Sequence, residues 1–340
     1  MPLTQVSPGL LDSNAQYYGF KNRLINGGMN IFQRNTTLST NNTQGYSVDR
    51  MWGFSGASTA ATYSQISSTG LAGFPFAIRC QRTAGNTGTN GVYMGQIVES
   101  NNLQDLQGQS VTISFWARAG SNYSPTSSSL TLFLRTGTVA DQGLTALING
   151  WTGLVQQSSG VTLTTSWQFF SRTFSVASNV QELSAFFEAA TTGTAGANDF
   201  YDITGFQLEK GSTATSFDYR PYGTELNLCQ RYYYRIKAGA VGDNFNVGYC
   251  DSTTVAPLML SFPVSMRTPP TALEQSGTAG DYTVIHAGAN TTCSSVPSFA
   301  TATTDNSRVN FTVASGFTAG RGAIGRAANT SAYLAWSAEL

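Results

Sequence analysis

The chain offers few groups that could do chemistry. His286 is its one histidine. It closes the strand-like run Tyr-Thr-Val-Ile-His, and any serine–histidine device would have to use it. No G-x-S-x-G elbow accompanies it. Glycoside hydrolysis needs two carboxylates about 5–10 Å apart. Asp199 with Asp202, and Glu188 with Glu209, are possible pairs, but their spacing gives neither an acid–base role. The run Gly-Arg-Gly-Ala-Ile-Gly at 320–325 matches G-x-G-x-x-G by letter alone. It lacks the βαβ setting and the later acidic residue, so it reads as a flexible β loop. Cys80, Cys229, Cys250 and Cys293 form no C-x-x-C, and one histidine cannot complete a zinc site with them. They are expected as buried thiols, with Cys250 and Cys293 the pair to join if a disulfide forms. The expectation is therefore no enzyme, no metal and no cofactor.

Recognition is the better candidate chemistry. Sugars lie on aromatic faces while Asn, Gln, Asp and Arg take their hydroxyls. Trp116 and Arg118 share one face of a candidate strand, and Phe133 and Arg135 share one face of another. If those strands pair in register, they make an aromatic platform with cationic edges. In the competing reading, Trp116 faces a second sheet or a subunit interface. Trp151 and Trp167 sit beside loops and are further candidate contacts.

The elements that would carry these residues read as strands. In 111–118, Val111, Ile113, Phe115 and Ala117 alternate with Thr112, Ser114, Trp116 and Arg118. Leu130, Leu132 and Leu134 alternate with Thr131, Phe133 and Arg135, and Leu183, Ala185, Phe187 and Ala189 share a face. Phe200, Asp202, Thr204, Phe206 and Leu208 are expected opposite Tyr201, Ile203, Gly205, Gln207 and Glu209. A period of two over such lengths marks half-buried antiparallel strands. Helical patterning is confined to a turn near 99–106 and a candidate helix at 223–236, where Leu226, Cys229, Tyr233 and Ile236 recur at three- and four-residue spacing. Later strands are expected at 259–264, 281–286, 308–313 and 332–338, so the last would tie the C-terminal stretch into a sheet. Early in the chain, Asn26-Gly27-Gly28 reads as a turn into a first strand, with Met29, Ile31 and Gln33 on one face and Asn30, Phe32 and Arg34 on the other. Asp49-Arg50 reads as an internal ion pair or loop anchor.

Composition agrees. Of 340 residues only 11% are charged, with 18 Lys and Arg against 18 Asp and Glu. A neutral chain is a poor partner for a phosphate backbone, so no nucleic acid is expected. No apolar run reaches the roughly 20 residues of a membrane-spanning helix, and no membrane insertion is expected. Residues 1–21 lack the basic and apolar regions of a secretory signal and read as an extended arm. The fold class expected is all-β: an N-terminal jelly-roll β-sandwich at 22–221, then a short helix and a smaller C-terminal β-sandwich domain within 222–340.

Four segments occur in order: NRLINGGMNIFQRNTT, YSVDRMWGF, LQGQSVTISFWARA and GFQLEKGSTATSFDYRPYGTELNLCQRYYYR. With FPVSMRTPP and SAYLAWSAEL, the series resembles tail-fibre or virion-associated structural proteins of tailed bacteriophages. The first unit of such proteins resembles a carbohydrate-binding-module jelly roll. The resemblance implies a bacteriophage virion structural protein, a tail fibre or receptor-binding protein contacting host surface glycan. The alternative it implies is a capsid decoration or head-fibre protein with a purely structural role. It further implies a homotrimer, attached through residues 1–21 to other tail or capsid proteins, assembled in the host cytoplasm and displayed on the virion surface. It carries over no catalytic residue.

Overall fold

The computed structural model describes residues 21–340. The expected N-terminal arm, apart from Lys21, lies outside the described residues. The chain divides into two compact units, Met1–Tyr222 with Leu340, and Gly223–Glu339.

Among the described residues the first unit holds twelve strands. They are β1 (Leu38–Thr40), β2 (Gln44–Tyr46), β3 (Trp52–Ser55), β4 (Ala61–Leu71), β5 (Phe74–Arg82), β6 (Val92–Val98), β7 (Ser110–Ala119), β8 (Ser129–Gly137), β9 (Val155–Thr162), β10 (Gln168–Ser175), β11 (Glu182–Ala189) and β12 (Phe200–Lys210). A six-residue helix, α1 (Leu144–Asn149), interrupts the β8–β9 connection. The first sheet runs β1-β4-β5-β12-β7-β10 and the second β2-β3-β6-β11-β8-β9. Neighbours in both are antiparallel, and seven of the ten neighbouring pairs are not consecutive in sequence, as in a jelly-roll sandwich.

The alternating apolar residues meet between the sheets. Ile113 and Phe115 of β7, Leu132 and Leu134 of β8, and Leu183 and Phe187 of β11 are all fully buried in one core. Phe115 meets Phe187 edge-on at 4.6 Å, joining the two sheets. Burying each such ring is worth roughly 1.5–3 kcal/mol.

Three sequence expectations need correction here. In β12 the alternation breaks: Tyr201, Ile203, Phe206 and Leu208 face the core together. The register against β7 shifts between Thr204 and Gln207, where Gly205 takes φ +59°. A bulge at a glycine inserts the extra residue and reverses the parity beyond it. The stretch after Asn26-Gly27-Gly28 is also not a strand, since the first begins at Leu38. Asn26 holds it as a coil: its Nδ2 donates to the carbonyls of Ile31 (2.8 Å) and Asp49 (3.0 Å), and its Oδ1 accepts from the Ile31 amide (2.9 Å). Asp49 and Arg50 each anchor a neighbouring segment. Asp49 accepts from the Gln33 amide at 2.8 Å, and Arg50 donates to the Ile97 carbonyl at 2.7 Å. Lastly, the candidate helix at 223–236 stops early. α2 covers Tyr222–Gln230, and Tyr233 and Ile236 belong to a strand.

That strand is β13 (Tyr233–Lys237). The rest of the second unit is β14 (Asn244–Tyr249), β15 (Val255–Ser261), β16 (Glu274–Gln275), β17 (Tyr282–His286), β18 (Ala289–Thr292), β19 (Ser298–Ala302), β20 (Asn306–Thr312), β21 (Gly322–Ala327) and β22 (Tyr333–Ser337). A seven-stranded sheet, β18-β17-β21-β14-β15-β20-β19, and a three-stranded sheet, β13-β22-β16, enclose a second core. Trp336 is its largest member, and its indole donates to Ser307 Oγ at 3.0 Å. All four cysteines are buried and none is in a disulfide, so Cys250 and Cys293 are not joined.

Candidate glycan-binding cleft

The outer face of the second sheet presents side chains in rows that cross the strands. One row, from β3 through β6 and β11 to β8, is Phe54, Tyr93, Glu188 and Thr131. The next is Trp52, Gly95, Phe186, Phe133 and Ser158 of β9. A third is Ile97, Ser184, Arg135 and Gln156. Phe186 stacks on Phe133 with centroids 4.9 Å apart and planes at 10°, and meets Trp52 at 5.6 Å. Gly95 makes this floor possible, because a Cβ there would sit 2.3 Å from Cβ of Phe186.

Helix α1 lies against the third row. Leu144, Leu147 and Trp151 join Trp52, Ile97 and Phe186 in an apolar cluster, and Arg135 Nη1 donates to the Leu147 carbonyl. Helix and floor leave a cleft of about 130 Å³ lined by Trp52, Phe54, Tyr93, Arg135, Ile148 and Phe186. Enclosed small-molecule sites run about 300–1,000 Å³. This one has room for a single ring of a longer molecule.

The polar groups of the cleft are few and mostly fixed. Arg135 lies over the Phe186 ring at 5.2 Å and gives Nε to Gln156 Oε1 at 3.0 Å, with Nη2 on the same oxygen. Burial lowers its basicity, while Tyr93 and Glu188 raise it. Tyr93 donates to Glu188 Oε1 at 2.8 Å. Burial first, then the Glu188 carboxylate, pushes the Tyr93 phenol well above the ordinary tyrosine range. Glu188 Oε2 makes no hydrogen bond among the described residues. The buried indole N–H of Trp52 also has no partner among them.

Of the six residues singled out from sequence, five fall on two surfaces and one is buried. β7 pairs with β10 and β12, and β8 with β9 and β11, so the in-register pairing of 111–118 with 130–135 does not occur. Phe133 and Arg135 belong to the cleft face. Trp151 is 3% exposed inside the α1 cluster and presents no ring to solvent. Trp116, Arg118 and Trp167 come together on the outer face of the first sheet, where Arg118 lies over Trp167 at 4.8 Å. Phe54, Tyr93 and Phe186 carry no signal in the sequence reading, and Glu188 enters it only as a possible partner of Glu209. Cross-strand pairing over almost a hundred residues assembles them, and local alternation carries no trace of it.

The groups that could have suggested catalysis have other partners. His286 is buried, and its Nε2 accepts the Thr318 amide at 3.1 Å. Asp199 pairs with Arg82 at 3.1 Å, and Asp202 with Arg79 and Arg118 at 2.8 Å each. Glu188 and Glu209 stand on different sheets. Among the described residues no group of three or more His, Cys, Asp or Glu could hold a metal ion, and no helix is long and apolar enough to cross a membrane.

No family model matches the chain, and no curated protein matches it. Among solved structures it is similar to a putative sugar binding protein from Bacteroides thetaiotaomicron VPI-5482 (13% identity, TM-score 0.35, 56% of this chain and 100% of that one). It is similar to TmCBM61 in complex with β-1,4-galactotriose (14% identity, TM-score 0.32, 56% and 99%). It is also similar to the enzymatically active domain of tailspike protein 4 of bacteriophage CBA120 (11% identity, TM-score 0.34). That match covers 56% of this chain but spans only 22% of the tailspike chain.

Proposed function

We propose that the first unit is a glycan-binding jelly roll, and that the chain is a bacteriophage virion structural protein of the tail-fibre or receptor-binding kind. The observation that carries the reading is the cleft. Phe54 and Tyr93, 5.6 Å apart and both partly exposed, offer ring faces beside a free carboxylate oxygen on Glu188. Aromatic rings bind the C–H face of a pyranose, and a carboxylate accepts two hydroxyls at once. Arg135 is engaged by Gln156 and Leu147 and has little left for an anionic sugar. The cleft therefore suits a neutral saccharide. The ordered segments that resemble phage virion proteins support the wider reading, as does the neutral, hydroxyl- and amide-rich composition. Display on the virion surface, attachment through residues 1–21 and a homotrimer belong to the same reading.

A glycan array tests the binding half, with the purified full chain beside Phe54→Ala and Tyr93→Ala. Binding of neutral oligosaccharides, lost in both variants, is the expected result. Folded wild-type protein that binds none would overturn it. Imaging the labelled chain in virions tests the rest, with tail signal expected. Signal on the shell, with adsorption intact after deletion, would make it a decoration protein instead. Native mass measurement tests the trimer.

A further inference from the structure

The outer face of the first sheet carries a second array with different charge chemistry. Arg79 of β5, Asp202 of β12 and Arg118 of β7 stand in one cross-strand row. Asp202 is fully buried beneath the two cations. It accepts Arg79 Nε at 2.8 Å and Nη2 at 3.0 Å, and Arg118 Nε at 2.8 Å. One carboxylate thus answers two guanidiniums, and the row keeps a net single positive charge. Arg79 Nη1 and both Nη of Arg118 make no hydrogen bond among the described residues, and the two side chains are 25% and 26% exposed. The donors are also held still. Arg79 lies over the Phe200 ring at 3.5 Å and Arg118 over Trp167, which is fixed by an indole bond to the Thr69 carbonyl at 3.0 Å.

An aromatic shelf adjoins the cations. Trp116 is the next outward residue on β7, roughly 6.7 Å along the strand from Arg118. It lies over the Gly205 bulge, where a Cβ would come within 3.0 Å of its ring. Phe169 of β10 extends the shelf at 5.5 Å and is 48% exposed.

We propose that this face is a second ligand site, separate from the cleft, for a carboxylate-bearing saccharide. The uronate carboxyl is held by the free N–H groups of Arg118 and Arg79, and the pyranose ring lies on Trp116 and Phe169. A guanidinium fork matches a carboxylate in plane and spacing. The single residual charge suits a monoanion better than a phosphomonoester carrying about −1.5 to −2. Cations already fixed on Asp202 and on two rings lose little freedom on binding.

Calorimetry on the full chain with a tetrasaccharide of galacturonate, and with its carboxyl-reduced galactose counterpart, tests this. In the Phe54→Ala chain, where the cleft cannot take the neutral ligand, the acidic ligand should bind at least tenfold tighter than the reduced one. Arg118→Gln should lose at least tenfold of that affinity. Arg118→Lys keeps a charge over Asp202 without the fork and should fall between, giving a reading even if Arg118→Gln fails to fold. Phe54→Ala, which disables the cleft, should leave acidic binding unchanged. Equal binding of the two ligands by Phe54→Ala, no binding of the acidic one, or acidic binding lost in Phe54→Ala but kept in a folded Arg118 variant would each overturn the proposal. So would displacement of the tetrasaccharide by an equal concentration of inorganic phosphate.

Discussion

Tyr93 and Glu188 stand opposite each other on β6 and β11, and the phenol donates a 2.8 Å hydrogen bond to one carboxylate oxygen. The pairing leaves the other oxygen of Glu188 without a hydrogen bond among the described residues, next to the Tyr93 ring that lines the cleft. Glu188→Gln makes that acceptor neutral. It should weaken neutral-glycan binding by about tenfold, the scale of a hydrogen bond to a charged group, while changing stability little. Because burial and Glu188 both raise the Tyr93 pKa, its phenol stays a donor across neutral and mildly alkaline pH. Binding should therefore be flat from about pH 6 to 9, over which an ordinary tyrosine also stays protonated. Calorimetry at several pH values checks both.

Alkaline unfolding should be sharp. Tyr63, Tyr123 and Tyr201 all have raised pKa values, with burial the leading cause in each. Unfolded, each phenol would ionise near pH 10. The folded state holds these protons longer, so their contribution is complete below about pH 10 and is lost as pH rises beyond it. Phenolate absorbance from these residues should appear together with loss of the β-sheet circular dichroism signal. Their ionisation well before unfolding would contradict the burial described here.

Arg82 should be among the costliest single positions in the first unit. It is 1% exposed and pairs with Asp199, itself 3% exposed. Its guanidinium also donates to the carbonyls of Asn86 and Thr192, at 2.8 and 3.0 Å, and so ties two loops to β5. Arg82→Met leaves Asp199 as a buried, unanswered charge. Losing one partner of such a pair costs about 3–5 kcal/mol. Urea titration measures it, and Arg82→Met with Asp199→Asn should recover part of the loss.

The strands that carry the sites were legible in the sequence because one face of each is buried and the other is not. Ile113, Phe115, Leu132, Leu134 and Phe187 announced their faces by alternation, and the outward Phe133 and Arg135 followed from the same parity. What alternation cannot hold is strand order. Trp116 and Phe133 look equivalent locally, yet β7 and β8 lie in different sheets, and the residues separate to opposite surfaces. A bulge defeats parity as well: Gly205 moves Phe206 into the core by adopting a conformation few other residues favour. The candidate helix at 223–236 ran on too far because Tyr233 and Ile236 fit a three-residue spacing as well as a strand, and pairing with β22 decided between them.

Gly95 offers the clearest test of how the cleft is built. It lies on the outer face of β6, between Trp52 on β3 and Phe186 on β11, whose rings meet at 5.6 Å. An added methyl would lie 2.3 Å from Phe186 Cβ and 2.5 Å from the Ala185 carbonyl oxygen, and backbone cannot swing aside as a side-chain tip can. Overpacking of this kind costs about 1–3 kcal/mol. Gly160→Ala is the matched control on β9 of the same sheet, since its methyl would meet nothing nearer than Ser129 Oγ at 3.8 Å. That substitution should stay within about 0.5 kcal/mol of wild type, as exposed changes usually do. Gly95→Ala should fold but lose stability on the larger scale, and with Phe186 displaced it should also lose neutral-glycan binding. A Gly95→Ala protein as stable as wild type would show that the floor of the cleft is not packed as described.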